Sequence, residues 1–352
     1  MSLSLINKST TLPDVAAETP VAFVRVDGAD VLVAIPVLNE AAHVETCIRS
    51  LMDADERVGR AVVAVVDGGS TDTTRAIVTR LMGEFPNLRL LNNPRKLQSA
   101  AVNLAARELG EGRRVLVRCD AHAIYPANYV LAAADSLVSH GVASVATPMD
   151  AAGDSCFQRA NAFIVDTPLG SGGSAHRGGK VSQYVDHGHH AAFDLKVFLH
   201  LGGYDESFSH NEDGEYDRRL AKAGGRIFLD ANIRIAYSPR ATVPALARQY
   251  FNYGKGRARN LAKHGDTPKP RQMIPQATLV ACLLGLLIAP VLPIALIVPG
   301  GYIAALLLAS VWAAVKMKSP CGLLAGLASA TMHMSWAAGF FRQVIADANA
   351  GK

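Results

Sequence analysis

Short apolar runs and amphipathic stretches alternate along the first 120 residues. Val31-Leu32-Val33-Ala34-Ile35 is apolar at every position, as in a strand covered on both faces, and Pro36 ends it. Between Glu40 and Met52, Val44, Ile48 and Leu51 recur at helical spacing. Ala61–Val66 predicts a second buried strand, residues 73–82 a helix, Leu88–Leu91 a third strand, Ala100–Leu109 an Ala-rich helix and Arg113–Arg118 a fourth strand. Strand–helix alternation with acids and glycines at the strand ends predicts an α/β fold with a doubly wound, mostly parallel sheet.

The regular pattern loosens after Ala143. Ser144–Thr147, Ile227–Leu229 and Ile233–Tyr237 predict short strands, and residues 194–201 and 211–223 predict helices. Gly170-Ser171-Gly172-Gly173-Ser174 and Gly178-Gly179 predict a mobile loop. Residues 244–264 form a basic amphipathic helix suited to a membrane interface. Beyond it the chain is nearly uncharged: residues 274–341 carry only Lys316 and Lys318. Ile274–Val298 and Cys321–Phe341 are long enough to span a bilayer, whereas Tyr302–Val315 is short and leaves a tilted or re-entrant segment open. Pro290 and Pro293 are expected to kink the first stretch.

Composition sharpens this division. Half of the 352 residues are apolar and 18% are charged, so the tail accounts for the excess over an ordinary enzyme. The net charge of +5 is gathered just before the tail, at Arg248, Lys255, Arg257, Arg259, Lys263, Lys269 and Arg271. Such a collar marks the cytoplasmic side of a membrane segment. No basic stripe studded with aromatics is present, which argues against a nucleic-acid partner. Five scattered cysteines without CxxC spacing predict reduced thiols in a cytosol-facing protein. The first residues, with Pro13 and Pro20, read as a loose leader and not as a signal peptide.

The chemistry concentrates at strand ends, where open α/β sheets bind ligands. Asp67 closes the second strand and is followed by Gly68-Gly69-Ser70-Thr71-Asp72. The glycines admit a ligand close to the backbone, and the Asp67 carboxylate can accept hydrogen bonds from a nucleobase imide or ribose. Asp72 is better placed to cap the following helix. Asp120-Ala121-His122 ends the fourth strand, and an acid and an imidazole two residues apart can face the same way and hold a divalent cation against a phosphate. Lys96, with Arg95, sits on a loop before a helix, where it meets either solvent or phosphate, and Asn103 lies on that helix. His176, His187, His189 and His190 lack the cysteines or helical spacing of a zinc site and read as acceptor-side or loop residues.

In order, Pro36-Val37-Leu38-Asn39-Glu40, Asp67–Asp72, Asp120-Ala121-His122 and Asn211-Glu212-Asp213 resemble the family 2 glycosyltransferases of the GT-A fold. The resemblance spans residues 31–240 and is specific in combination, though each piece is weak alone. It implies a nucleotide-sugar donor, a divalent cation (Mg²⁺ or Mn²⁺), inversion at the anomeric carbon and a cytosolic active site. Pro36 and Glu40 would frame uridine, Asp67 would contact uracil or ribose, and Asp120 and His122 would occupy the metal-binding motif. Asp213 would be the catalytic base. Histidine departs from the usual acid at the third motif position, and imidazole favours Mn²⁺ over Mg²⁺. Tyr253, Lys255 and Arg257 stand where processive members carry a Gln-Arg-Trp segment, and could meet the donor diphosphate or an acceptor pyrophosphate. The missing Arg-Trp pair argues against a processive synthase.

A narrower resemblance, carried by Tyr184-Val185-Asp186-His187-Gly188-His189-His190 and the apolar tail, is to glucosyltransferases of bacterial exopolysaccharide assembly. It implies transfer of one glucose from UDP-glucose to a polyprenyl-diphosphate-linked saccharide at the cytoplasmic membrane. The expected organisation is a leader (1–28), a GT-A domain (29–240), a basic interface segment (241–272) and about three transmembrane helices (273–345). Two other readings fit the same residues: a polyprenyl-phosphate sugar synthase and an inactive sugar-binding membrane scaffold.

Overall fold

The computed structural model describes residues 23–52, 55–174 and 177–351, without the side chain of His190. The alternation expected of the first half is present as β1 (Val31–Val37), α1 (Val44–Met52), β2 (Val62–Asp67), α2 (Thr74–Met82), β3 (Leu88–Asn92), α3 (Gln98–Leu109) and β4 (Val115–Arg118). Successive β1 residues point to opposite faces. Val31, Val33, Ile35 and Val37 enter one core, and Leu32 and Ala34 enter the other. Both faces of the strand are thereby covered, the physical origin of its unbroken apolar run. Residues 1–22 of the proposed leader lie outside the described residues, but the stretch behind them is not loose. The Val24 and Val26 amides donate to Ser139 and Asp135.

The chain continues through α4 (Tyr129–His140), β5 (Ser144–Thr147), β6 (Met149–Ala151), α5 (Cys156–Val165), α6 (Pro168–Ser171), β7 (Gln183–Val185), β8 (His189–Asp194), α7 (Leu195–His200), α8 (Glu212–Lys222), β9 (Ile227–Leu229) and β10 (Ile235–Tyr237). The main sheet runs β3-β2-β1-β4-β8-β5-β9-β7, and β6 pairs with β10. It is parallel from β3 to β4, but β8 runs antiparallel to both neighbours. The sheet is therefore mixed. Sequence pattern misses α4 because the helix is buried nearly all round, which erases the amphipathic period. It misses β8 because His189-His190 opens that strand with polar residues.

The tail divides differently from the sequence expectation. It forms α9 (Val243–His264), α10 (Pro270–Ile288), α11 (Ile297–Met317) and α12 (Ala325–Asn349). The break falls at Pro290–Pro293, where prolines lack the amide that would continue the ladder, and not at Pro299-Gly300-Gly301. The short Tyr302–Val315 segment is thus part of a full-length helix. Pro270–Ile288 and Pro293–Met317 are long and apolar enough to cross a membrane. In and between them Leu287, Val291, Ile297 and Leu308 are between 71% and 90% exposed, an apolar surface suited to a membrane. Among the described residues, α12 is not a third such helix. It packs along α9, with Phe340 and Trp336 against Ala258 and Leu261.

Two glycines set the α9–α12 contact. A Cβ on Gly254 would fall on the Trp336 carbonyl, and one on Gly339 on the Phe251 carbonyl. The backbones approach that closely only because neither residue has a side chain. Gly254→Val or Gly339→Val should each cost about 1–3 kcal/mol through forced separation, read as a lower melting temperature in detergent. Gly300→Ala, which meets nothing within 4 Å, is the control that should leave it unchanged.

Cys156 and Cys321, 165 positions apart, form a disulfide between α5 and the turn before α12. The expectation of five reduced thiols fails at this pair, because spacing along the chain says nothing of a Cα–Cα distance of 4.8 Å. Cys47, Cys119 and Cys282 are free.

Candidate active site

The carboxyl ends of β1, β2 and β4 open onto a cleft of about 2000 Å³. Pro36, Glu40, Gly68, Lys96, Asp120 and His122 line it at and beyond the strand ends. Asp213 also lines it, as do Arg271, Ile274 and Pro275 of α10 and Met332, His333 and Trp336 of α12. One cavity therefore connects the strand ends with the helices that carry the apolar tail.

Asp120 is held by its neighbours. Arg118 Nη2 and Gln98 Nε2 both donate to Oδ1, at 3.1 and 3.0 Å, and His189 Nε2 lies 3.8 Å from Oδ2. Burial alone would raise the pKa of this carboxyl, but Arg118, with His189 and His122, outweighs it and holds the group at about 2. Burial pushes His189 down to about 4, so Arg118 supplies the positive charge at neutral pH. Arg118 is itself buried. Burial disfavours its charge, but Asp120, Tyr204, Glu212 and Asp213 over-compensate and push its pKa above the usual value. One buried guanidinium thus faces the acids of both the β4 end and the start of α8. It is the last residue of a buried strand, and a cation there was the overlooked signal. His189, also overlooked in this role, arrives because the reversed β8 runs its first residues alongside the end of β4.

The donors at the β4 end suit a divalent cation. His122 Nδ1 lies 3.4 Å from Glu40 Oε1, and this contact, against burial, raises the imidazole pKa. With Nδ1 toward a carboxylate, Nε2 is the nitrogen left for a metal, as in carboxylate-oriented histidine ligands. Asp120 Oδ2 accepts from neither Arg118 nor Gln98. No group of three protein ligands gathers among the described residues, so diphosphate and water would complete the coordination.

Other expected residues take different places. Asp67 is fully buried and does not reach the cleft surface. It accepts from the Gly69 and Ser70 amides, the Ser70 hydroxyl at 2.5 Å and Arg75 at 2.6 Å. These bonds, offsetting burial, keep its pKa low. Its observed role is to shape the loop that presents Gly68. Asp72 caps as expected, accepting from the Thr74 and Ala41 amides. Asn103 is buried away from the cleft, clamping the Tyr204 amide and carbonyl and bonding to Glu206. The face of α3 that carries it packs on the segment before α8. Arg95 pairs with Glu206, whereas Lys96 lines the cleft. Arg257 lines the cleft, but Lys255 does not and lies near His210 instead.

Asp213 is in the first turn of α8, with the Gly214 amide donating to its Oδ1 at 2.7 Å. Adjacent Glu212 is buried. Burial and the Asp213 charge, only partly offset by Arg118, push its pKa up to about 7. The helix is clamped by Glu215, which binds Arg219, Lys263 and His264. His187, half-buried, meets Asp217 Oδ2 at 2.6 Å on the same side, and Asp217 with Asp213 raises its pKa against burial. His176 lies outside the described residues, as does the His190 side chain.

A family model described as Glycosyl transferase family 2 matches residues 32–202. Succinoglycan biosynthesis protein ExoA of Rhizobium meliloti (strain 1021) is 45% identical over 314 residues, covering 89% of this chain and 94% of that protein. Dolichyl N-acetyl-alpha-D-glucosaminyl phosphate 3-beta-D-2,3-diacetamido-2,3-dideoxy-beta-D-glucuronosyltransferase of Methanococcus voltae is 22% identical over 240 residues, 65% of this chain and 73% of that one. Mannosyltransferase PcManGT from Pyrobaculum calidifontis, solved with GDP-Man and Mn²⁺, superposes with a TM-score of 0.57 at 21% identity. It covers 90% of this chain and 87% of that chain, a likeness of fold.

Proposed function

We propose that this chain, which belongs to glycosyl transferase family 2, transfers one glucosyl unit from UDP-glucose to a polyprenyl-diphosphate-linked saccharide. The transfer would take place at the cytoplasmic membrane, during exopolysaccharide assembly of the succinoglycan type. The observation that carries this reading is a single cleft lined by Asp120 and Lys96 at the strand ends, by Asp213 at the start of α8, and by residues of the tail helices α10 and α12. Similarity to ExoA supports the exopolysaccharide setting, and a relative named for a dolichyl sugar phosphate supports a lipid-linked acceptor.

Each residue then has a task. The acceptor hydroxyl oxygen attacks C1 of the sugar from the face opposite UDP. The new C1–O bond forms as the bond to the diphosphate oxygen breaks, which inverts the anomeric centre. Asp213 draws off the hydroxyl proton. Lys96 approaches the departing diphosphate, and the Gly68 loop, held in shape by Asp67, backs the nucleoside. Asp120 and His122 would hold a Mg²⁺ or Mn²⁺ ion, which neutralises developing charge on the leaving diphosphate.

The test offers purified protein labelled UDP-sugars and a short-chain lipid-diphosphate saccharide with Mg²⁺ or Mn²⁺, and determines the product linkage. Retention of anomeric configuration, or no transfer with any donor, would overturn the reading. In the same assay His122→Asp should keep activity and shift metal preference toward Mg²⁺. Unchanged preference would remove His122 from the metal site.

A further inference from the structure

We propose that Arg257 and Arg271, backed by Arg218, form the receiving site for the acceptor's anionic diphosphate, with its hydrocarbon leaving past Ile274 and Trp336. The inference rests on the lipid-diphosphate acceptor proposed above and says where that acceptor sits. All five residues line the same cleft. Arg257 makes no hydrogen bond or ion pair with a described residue, and the only such contact of Arg271 is with the Gly172 carbonyl, at 3.2 Å. Arg218, by contrast, is fixed by Asp266 at 3.3 Å, and nearby Lys269 by Asp186 at 2.6 Å. Two guanidinium groups therefore project into a cavity without a paired carboxylate, an arrangement suited to a bidentate diphosphate.

Neighbouring charges support the placement. Burial lowers the Arg257 pKa, and repulsion from Arg218 and Arg271 adds to it, while Asp213 and Asp217 pull the other way. An anion among the three arginines relieves that repulsion. Asp213 also acts on Arg118, at the metal end. The Asp213 charge is thus felt both by Arg118, which binds Asp120, and by Arg257. Arg271 opens the apolar helix α10, and Ile274 and Pro275 follow within its first turns. A headgroup on the arginines accordingly places its tail at the membrane boundary.

The experiment compares wild type with Arg257→Gln, Arg271→Gln and Arg257→Lys on two soluble acceptors: a short-chain lipid-diphosphate saccharide and the same saccharide as an uncharged alkyl glycoside. The KM advantage of the diphosphate over the alkyl glycoside should fall about 10- to 100-fold in each Gln variant, with partial recovery in Arg257→Lys. An unchanged ratio overturns the inference. Weaker UDP binding by calorimetry at an unchanged ratio also overturns it, because the arginines would then serve the donor. Loss of binding to anionic phosphatidylglycerol vesicles at an unchanged ratio overturns it in favour of the bilayer surface. Wild-type transfer to the diphosphate acceptor, measured first, separates failure of this site from failure of the proposed function.

Discussion

Asp213→Asn should fold normally and lower kcat by about 10²- to 10⁴-fold, with little change in the affinity for donor or acceptor. The expectation follows from how the side chain is held. Asn keeps an oxygen to accept from the Gly214 amide, as Asp213 Oδ1 does at 2.7 Å. In place of the second carboxylate oxygen it offers an NH2 group with no basic lone pair. Geometry is retained while the proton acceptor is lost, so single-turnover chemistry should slow and UDP binding should not. Glu212→Gln should be much milder, because Glu212 is buried beside the base. Full activity of Asp213→Asn would remove the base. It would instead favour a phosphate acceptor, already anionic, as in a polyprenyl-phosphate sugar synthase.

Arg118→Met is expected to be the most damaging change for stability. Arg118 is 8% exposed and is the buried cation whose charge is felt by Asp120, Glu212 and Asp213. Removing one partner of such a set leaves buried charge uncompensated, at a cost of about 3–5 kcal/mol. Activity should fall with it, since Asp120 loses the group that keeps it ionised. The pH dependence gives a sharper test. Asp120, depressed to about 2, contributes stability that is present above its ordinary pKa of 3.8 and is lost as pH falls toward 2. Glu212 has the opposite sign. Its folded pKa of about 7 exceeds the ordinary 4.5, so its contribution is fully present below 4.5 and is lost as pH rises through 7. Arg118→Met should therefore destabilise most at pH 8, where the acids are ionised. Adding Glu212→Gln should restore part of the loss at pH 8 and little at pH 5. A melting series across that range would sink the account if the double variant is no better than the single at pH 8.

Much of this protein could be read from local pattern. β1, β2 and β4 are short and buried on both faces, so their apolar runs are visible without tertiary information. The prolines at 290 and 293 marked a disturbance of the first apolar stretch, expected as a kink and found as a full break between α10 and α11. Asp120, His122 and Lys96 stood out by residue type at strand ends and loops, Glu40 and Asp213 by family resemblance, and all five line one cleft.

Only the tertiary structure decided which neighbours those groups have. Asn103 is a clamp on Tyr204, Asp67 serves the Gly69–Ser70 turn, and Lys255 is not among the residues that line the cleft. None of these outcomes is visible in a residue type, because each depends on which side a helix or turn presents. The reversed β8 places His189 beside Asp120, and Arg118 joins acids more than 90 positions apart. The Cys156–Cys321 bond and the α9–α12 glycine contact also join distant segments. Sequence pattern records the local balance of burial and backbone conformation. Electrostatic partners, pKa values and close helix contacts depend on through-space distance, which the folded chain alone sets.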